Sequence, residues 1–275
     1  IAHVDPAPQR APLYYKVNRD LAIEAATVAK DSGIRQFIYM SSKIVYHTSK
    51  SLKGDVVSKD TQPCPNDFYG DSKLQAENAL KKLETNDFKV VILRSCMVYG
   101  FGNKGNLPRL AWLASKTPIF PAWHNKRSMI HVDNLAELIR QIILRDLRGT
   151  FYPQNKEYVD TVEVVRYFAK LQGKKIWISR LFNPLVWLGS FVSKSVCKMF
   201  ADSYYDQEMS RYDFDYHVVN FDDVGEYDGD YKALNMWDGI LICHYNEDRE
   251  SVYNDAKAGN YKVEIGIMNE SISQI

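Results

Sequence analysis

The chain has 275 residues, enough to bury a substantial core, and its hydrophobic (45%) and charged (25%) fractions are ordinary for a globular protein. A net charge of +1, with neither a basic stripe nor a basic tail, argues against nucleic acid as a partner. Four scattered cysteines without Cys-x-x-Cys spacing and six histidines without ligand spacing predict no disulfide framework and no metal, and favour a reduced, cytoplasmic setting.

In chain order, residues 15–31 carry Val17, Leu21, Ala25 and Val28 at helical spacing and stop before Gly33, which predicts a helix. Residues 34–42 are β-branched and aromatic and end in Met40-Ser41-Ser42, a buried strand whose carboxyl end presents hydroxyls. Ligands of open α/β sheets bind at that end. The next helix starts near Asn66 and Asp67, both able to cap it, and runs through Leu74, Ala79, Leu80 and Leu83. On it Tyr69 and Lys73 stand four apart and so share a face. An ammonium there would favour the phenolate and lower the tyrosine pKa from about 10, giving a general base for an alcohol proton. Alone, this spacing equally describes an exposed helical pair. The strand-end serines are what direct Ser42, Tyr69 and Lys73 toward one pocket.

Residues 89–94 form a run typical of a buried parallel strand. From Phe101 to Lys126, Gly102, Gly105, Pro108, Pro118 and Pro121 punctuate a short helix centred on Trp112, a loop or lid pattern. Arg127 follows; its planar fork suits a diphosphate, the alternative being a surface arginine beside Lys126. Asp133 and Asp160 open two further helices, and His131 between Ile130 and Val132 reads as structural. The longest apolar stretch, Leu181 to Val192, is too short to span a bilayer. Flanked by Lys174, Lys175, Arg180, Lys194 and Lys198, it is expected to be buried against a second lobe, with an interfacial helix as the alternative. Beyond Phe200 the composition turns to Asp, Tyr and Asn; 237–243 and 261–267 are strand candidates without an assigned role.

Six fragments in fixed order carry a resemblance: Ala2-His3-Val4; Tyr15-Lys16-Val17-Asn18; Met40-Ser41-Ser42 with Val45-Tyr46; Tyr69-Gly70-Asp71-Ser72-Lys73; Leu93-Arg94 with Val98-Tyr99-Gly100; and the Arg127 to Asn134 run. Through them the chain resembles the NAD-dependent epimerase/dehydratase family, extended short-chain dehydrogenase/reductases, from Ile1 to about Lys175. The resemblance implies an α/β fold: part of a Rossmann-like doubly wound parallel sheet over 1–100, a substrate-binding lobe over 101–225 and an unassigned tail over 226–275. Tyr212 to Asp223 resembles the tyrosine-rich strand that closes the lobe in such chains. It implies NAD as cofactor, with NADP open, a nucleotide-sugar substrate, and an assembly that can be a homodimer. Ser42, Tyr69 and Lys73 fall on the catalytic positions. Asn18, Ser41, Tyr69, Lys73 and Arg94 fall on cofactor-binding positions, and Ser42, Met97 and Arg127 on substrate-binding ones.

The family's Gly-x-x-Gly-x-x-Gly loop, which holds the cofactor pyrophosphate at a helix amino end, does not occur in these residues. The sequence therefore reads as amino-terminally incomplete, or as a variant that discarded the loop, and weak NAD binding is expected of it. Where the family's 4,6-dehydratases carry an Asp-Glu pair after the catalytic hydroxyl, this chain has Lys43 and Ile44. An aliphatic side chain cannot relay a proton, which leaves 4-epimerisation or 4-ketoreduction. Ser95 replaces a frequent proline, and Met97 stands where many epimerases place an asparagine; it cannot donate an amide hydrogen bond. A hydroxysteroid-type dehydrogenase, suggested by the aromatic surroundings of Trp112 and Trp123, and an inactive pseudo-enzyme are the alternative readings.

Overall fold

The computed structural model describes residues 8–47, 51–100 and 106–220. In order they form α1 (Ala11–Tyr14), a π-helical segment (Tyr15–Asp20), α2 (Leu21–Asp31), β1 (Gln36–Ser42), β2 (Asp55–Val57), α3 (Phe68–Leu83), β3 (Lys89–Ser95), β4 (Met97–Tyr99) and α4 (Asn106–Lys116). There follow β5 (Ile119–Pro121), β6 (Met129–His131), α5 (Val132–Leu144), β7 (Gly149–Phe151), α6 (Thr161–Leu171), β8 (Trp177–Ser179), α7 (Asn183–Val192), α8 (Lys194–Phe200) and β9 (Ser203–Tyr205).

The central sheet is parallel, in the order β1-β3-β7, with Ser41 beside Arg94 and Ser42 beside Ser95 at its carboxyl end. Both faces are covered, which explains the unbroken apolar run of β3. Val90 and Ile92 pack with Ala22, Ala26, Ala76 and Leu80 of α2 and α3. Val91 and Leu93 meet Leu135, Leu138 and Ile142 of α5 on the opposite face. A second cluster unites Phe120, Val162, Val165, Ala169, Val186 and Phe200 around the packed pair of α4 and α6. Three short parallel pairs, β2 with β9, β4 with β6 and β5 with β8, complete the fold.

The first helix departs from its expected phase. Its buried stripe is Tyr14, Asn18, Ala22 and Ala26, while Leu21 and Val28 are 41% and 59% exposed. The wide turn of Tyr15–Asp20 keeps residues four apart in line, and two alanines let α2 lie close on β1 and α3. His131, rather than Asp133, caps α5: its Nδ1 accepts from the Asp133 N–H at 3.3 Å.

Two further expectations are corrected. Residues 212–220 form no strand. Tyr216, with Tyr212 and Phe214 beside it, joins the α5 side of the core, and the Asn134 side chain takes the place of a strand ladder. Its Oδ1 accepts from the Val218 and Val219 N–H groups (2.7 and 2.9 Å) and its Nδ2 donates to the Val219 carbonyl (2.8 Å). The apolar stretch 181–192 is not buried: α7 inserts Val186 alone, and Leu181 and Val192 are 87% and 86% exposed. Ala2-His3-Val4, Gly102, Gly105, residues 221–223 and the tail 226–275, with both of its strand candidates, lie outside the described residues.

Candidate active site

Of the expected trio, Ser42 and Tyr69 meet where α3 begins. Asp67 starts the helix by accepting the Gly70 N–H at 2.7 Å. Gly70 lies so close to the turn after β1 that a Cβ would stand 2.4 Å from the Ile44 carbonyl oxygen and 2.8 Å from Pro65. That approach brings the neighbouring Tyr69 to Ser42, and their side chains hydrogen-bond. Ser42 Oγ is itself fixed by accepting the Ile44 N–H at 3.3 Å. Tyr14 packs edge-on against the Tyr69 ring, 5.9 Å between centroids.

Lys73 is present but acts differently from the expectation. Its ammonium donates to the Met40 carbonyl at 2.8 Å and lies 4.7 Å from the Tyr39 ring centroid. With 7% of the residue exposed, burial pushes its pKa down to about 8, against the opposing pull of Glu77. The Tyr69 phenol is raised above its ordinary 10, because burial outweighs the Ser42 hydrogen bond. In the protein alone the lysine therefore does not lower the tyrosine pKa.

Ser41 and Arg94 converge on Glu77, a residue with no accessible surface. Ser41 Oγ donates to Glu77 Oε1 at 2.5 Å, and Arg94 forks onto the carboxylate, Nη2 to Oε2 at 2.7 Å and Nε to both oxygens at 3.1 Å. Arg94 Nη1 adds the Tyr46 hydroxyl at 2.6 Å. The structure thus places Ser41 and Arg94 in an internal brace beneath the strand ends. Glu77 escaped sequence reasoning. Its signal was its phase, four residues after Lys73 on the face of α3 that also buries Leu80. Asn18 is likewise internal, its Nδ2 donating to Ser72 Oγ at 3.2 Å and its carbonyl accepting from the Tyr39 hydroxyl at 2.7 Å.

Met97 packs beside Tyr99, Met129, Val159 and Val164. Arg127 is partly exposed, and its Nη1 donates to the Lys198 carbonyl at 2.7 Å, with Met199 and Ala201 carbonyls at 3.4 Å, holding the end of α8. Lys43, next to Ser42, donates to Ser203 Oγ at 3.0 Å, and burial pushes its pKa down to about 8. Ser95 Oγ, beside Ser42 across the sheet, is buried without a hydrogen-bond partner among the described residues.

The nicotinamide ribose of a dinucleotide fits this donor set. The buried Lys73 ammonium has three N–H donors and spends one on Met40, which leaves capacity for ribose hydroxyls, and Ser95 offers an unspent hydroxyl at the same sheet end. Among the described residues no group of His, Cys, Asp and Glu side chains is arranged to hold a metal.

A parallel sheet covered on both faces by helices, with serine, tyrosine and lysine at its carboxyl end, is a Rossmann-like α/β fold. The chain belongs to the NAD-dependent epimerase/dehydratase family, whose family model matches residues 1–152. It is 34% identical over 199 residues to the UDP-glucose 4-epimerase of Vibrio cholerae, an alignment covering 67% of this chain and 60% of that protein. It is 26% identical over 199 residues to the N-acetyl-alpha-D-glucosaminyl-diphospho-ditrans,octacis-undecaprenol 4-epimerase of Escherichia coli O157:H7, covering 70% of this chain and 59% of that one. Among solved structures, the UDP-glucuronic acid 4-epimerase of Bacillus cereus in complex with NAD shares the fold, with a TM-score of 0.58 at 18% identity over 81% of this chain and 67% of that one. The chain spans about 60% of the length of these two curated relatives.

Proposed function

We propose that this chain carries the catalytic half of a nucleotide-sugar 4-epimerase, with Tyr69 as proton acceptor, Ser42 as its hydrogen-bonding partner and Lys73 as the cation that holds the cofactor ribose. The observation that carries the reading is the hydrogen bond between Ser42 and Tyr69 at the carboxyl end of β1, with the Lys73 ammonium on the Met40 carbonyl of the same strand end. A bound nicotinamide supplies the hydride acceptor and donor for carbon 4 of the sugar. Tyr69 takes the proton of the 4-hydroxyl, and Ser42 donates to the ketone oxygen as it forms. In the protein alone Tyr69 is a neutral phenol; the positive charge of a bound oxidised nicotinamide, added to that of Lys73, which is charged below about pH 8, would favour its phenolate. The turn after β1 offers no carboxylate for a dehydration step, since Lys43 is engaged with Ser203 and Ile44 is aliphatic.

The two relatives described above are named as 4-epimerases, which favours epimerisation over ketoreduction, and the first of them supports a UDP-sugar as substrate. The test is interconversion of UDP-glucose and UDP-galactose by a version supplied with a glycine-rich strand–loop–helix unit ahead of Ile1. Tyr69→Phe in that version is expected to lower kcat by roughly 10²–10⁴-fold while leaving nucleotide binding intact. Undiminished turnover would remove Tyr69, and the reading with it.

A further inference from the structure

The stretch from Lys174 to Phe200 takes no part in this chemistry, and its surface is unlike that of the other described residues. Seven of the fifteen large apolar side chains exposed among the described residues fall between Trp177 and Val192. On α7 the single buried residue is Val186. At about 100° per residue, Leu185, Trp187, Leu188, Phe191 and Val192 all fall on the arc opposite it. Trp187 and Phe191 stack edge-to-face at 4.8 Å, and Trp177, 76% exposed, extends the patch along β8, where Ile119 is its register partner. Monomeric proteins seldom leave so contiguous an apolar face to water.

Charge identifies what the face meets. Residues 174–200 contain five Lys and Arg and no Asp or Glu, while the chain as a whole nets only +1, so the balance of the molecule is acidic. Lys175, Arg180 and Lys198, which flank α7 in the sequence, are exposed. A helix of ten residues cannot cross a bilayer. Leucines with tryptophans and a phenylalanine, bordered by cations, match instead the boundary where acyl chains meet anionic headgroups. We propose that α7, with the β8 edge beside it, is an interfacial anchor that lays this protein on an anionic lipid bilayer. The anchor is tied to the fold through Asn183, whose Nδ2 donates to the Ala122 carbonyl at 3.0 Å, and through α8, whose end Arg127 grips.

The proposal is tested by flotation of the full chain with vesicles of phosphatidylglycerol and phosphatidylcholine, alongside vesicles of phosphatidylcholine alone. Binding to the anionic vesicles is expected, with a blue shift of tryptophan emission and loss of binding as salt rises. Two variants remove the two components separately: Trp187→Gln with Phe191→Gln, and Lys175→Glu with Arg180→Glu. Each pair is expected to weaken partitioning by about tenfold or more with an unchanged far-ultraviolet spectrum and thermal midpoint, because these side chains are exposed. No association of the folded chain with anionic vesicles overturns the anchor, as does equal binding by the apolar pair. Sedimentation in which the apolar pair converts an oligomer to monomer, without vesicle binding by the parent chain, assigns the face to self-association and likewise overturns it. None of these readouts involves turnover, so they stand apart from the test of Tyr69.

Discussion

At Lys73 an ammonium is held where water is scarce, and the cost is visible in its pKa, down from 10.5 to about 8. That displacement corresponds to about 3 kcal/mol of unfavourable charge burial while the group is protonated in both folded and unfolded chains. Below pH 8 the whole penalty applies. Between pH 8 and 10.5 the unfolded chain binds the proton and the folded one does not, so stability from this group rises with pH. Lys73→Met is therefore expected to stabilise the fold by about 2 kcal/mol at neutral pH, some of the gain being offset by the lost Met40 hydrogen bond. The advantage should vanish above pH 10.5, and urea titrations at pH 7 and pH 11 would measure both limits. A variant no more stable than the parent at pH 7 would mean that the ammonium is better solvated than its surroundings indicate.

Among the elements, the amino end of α3 determines whether Tyr69 reaches Ser42. Gly70→Ala would drive a methyl into the Ile44 carbonyl, a backbone atom that cannot move aside alone. The expected result is a loss of about 1–3 kcal/mol on urea unfolding, together with separation of the two hydroxyls. Gly33 makes a useful contrast, since a Cβ there meets nothing within 4 Å and the cost of Gly33→Ala comes only from its φ of +80°.

Much of this level could be read from residue order. The β1 and β3 runs, the Asp67 and Asp160 caps and the convergence of Ser42 with Tyr69 follow from local pattern and from where open sheets present their ligands. The phase of α2 could not be read, because a π turn rotates the stripe and small alanines, not the larger Leu21 and Val28, make the close contact. Nor could the partner of Arg94: an arginine at a strand end fits a cofactor contact as well as an ion pair, and only the packed helix brings Glu77 beneath it. Asn134 standing in for a strand, and Arg127 turning to the end of α8, depend on segments far away in the chain.

Over the whole molecule, the same 275 residues that hold the Ser42–Tyr69 pair contain no Gly-x-x-Gly-x-x-Gly turn, and β1 has β3 as its partner in a sheet of three strands among the described residues. That turn is where backbone amides usually hold a dinucleotide's pyrophosphate. Calorimetry on this polypeptide is expected to find no micromolar NAD site, and such a site would show that Lys73 and the strand-end hydroxyls suffice. No helix among the described residues is long and apolar enough to cross a membrane.

The pairing of β2 with β9 carries a consequence for how the molecule comes to exist. Asp55 lies against Ser203, about 150 residues later, and the same Ser203 receives the Lys43 ammonium. Closing so long a loop is entropically dear, so contacts of this reach form late. A nascent chain can build β1, α3 and β3 as they emerge from the ribosome. The wall beside Ser42 must wait until nearly all of the described sequence has been synthesised.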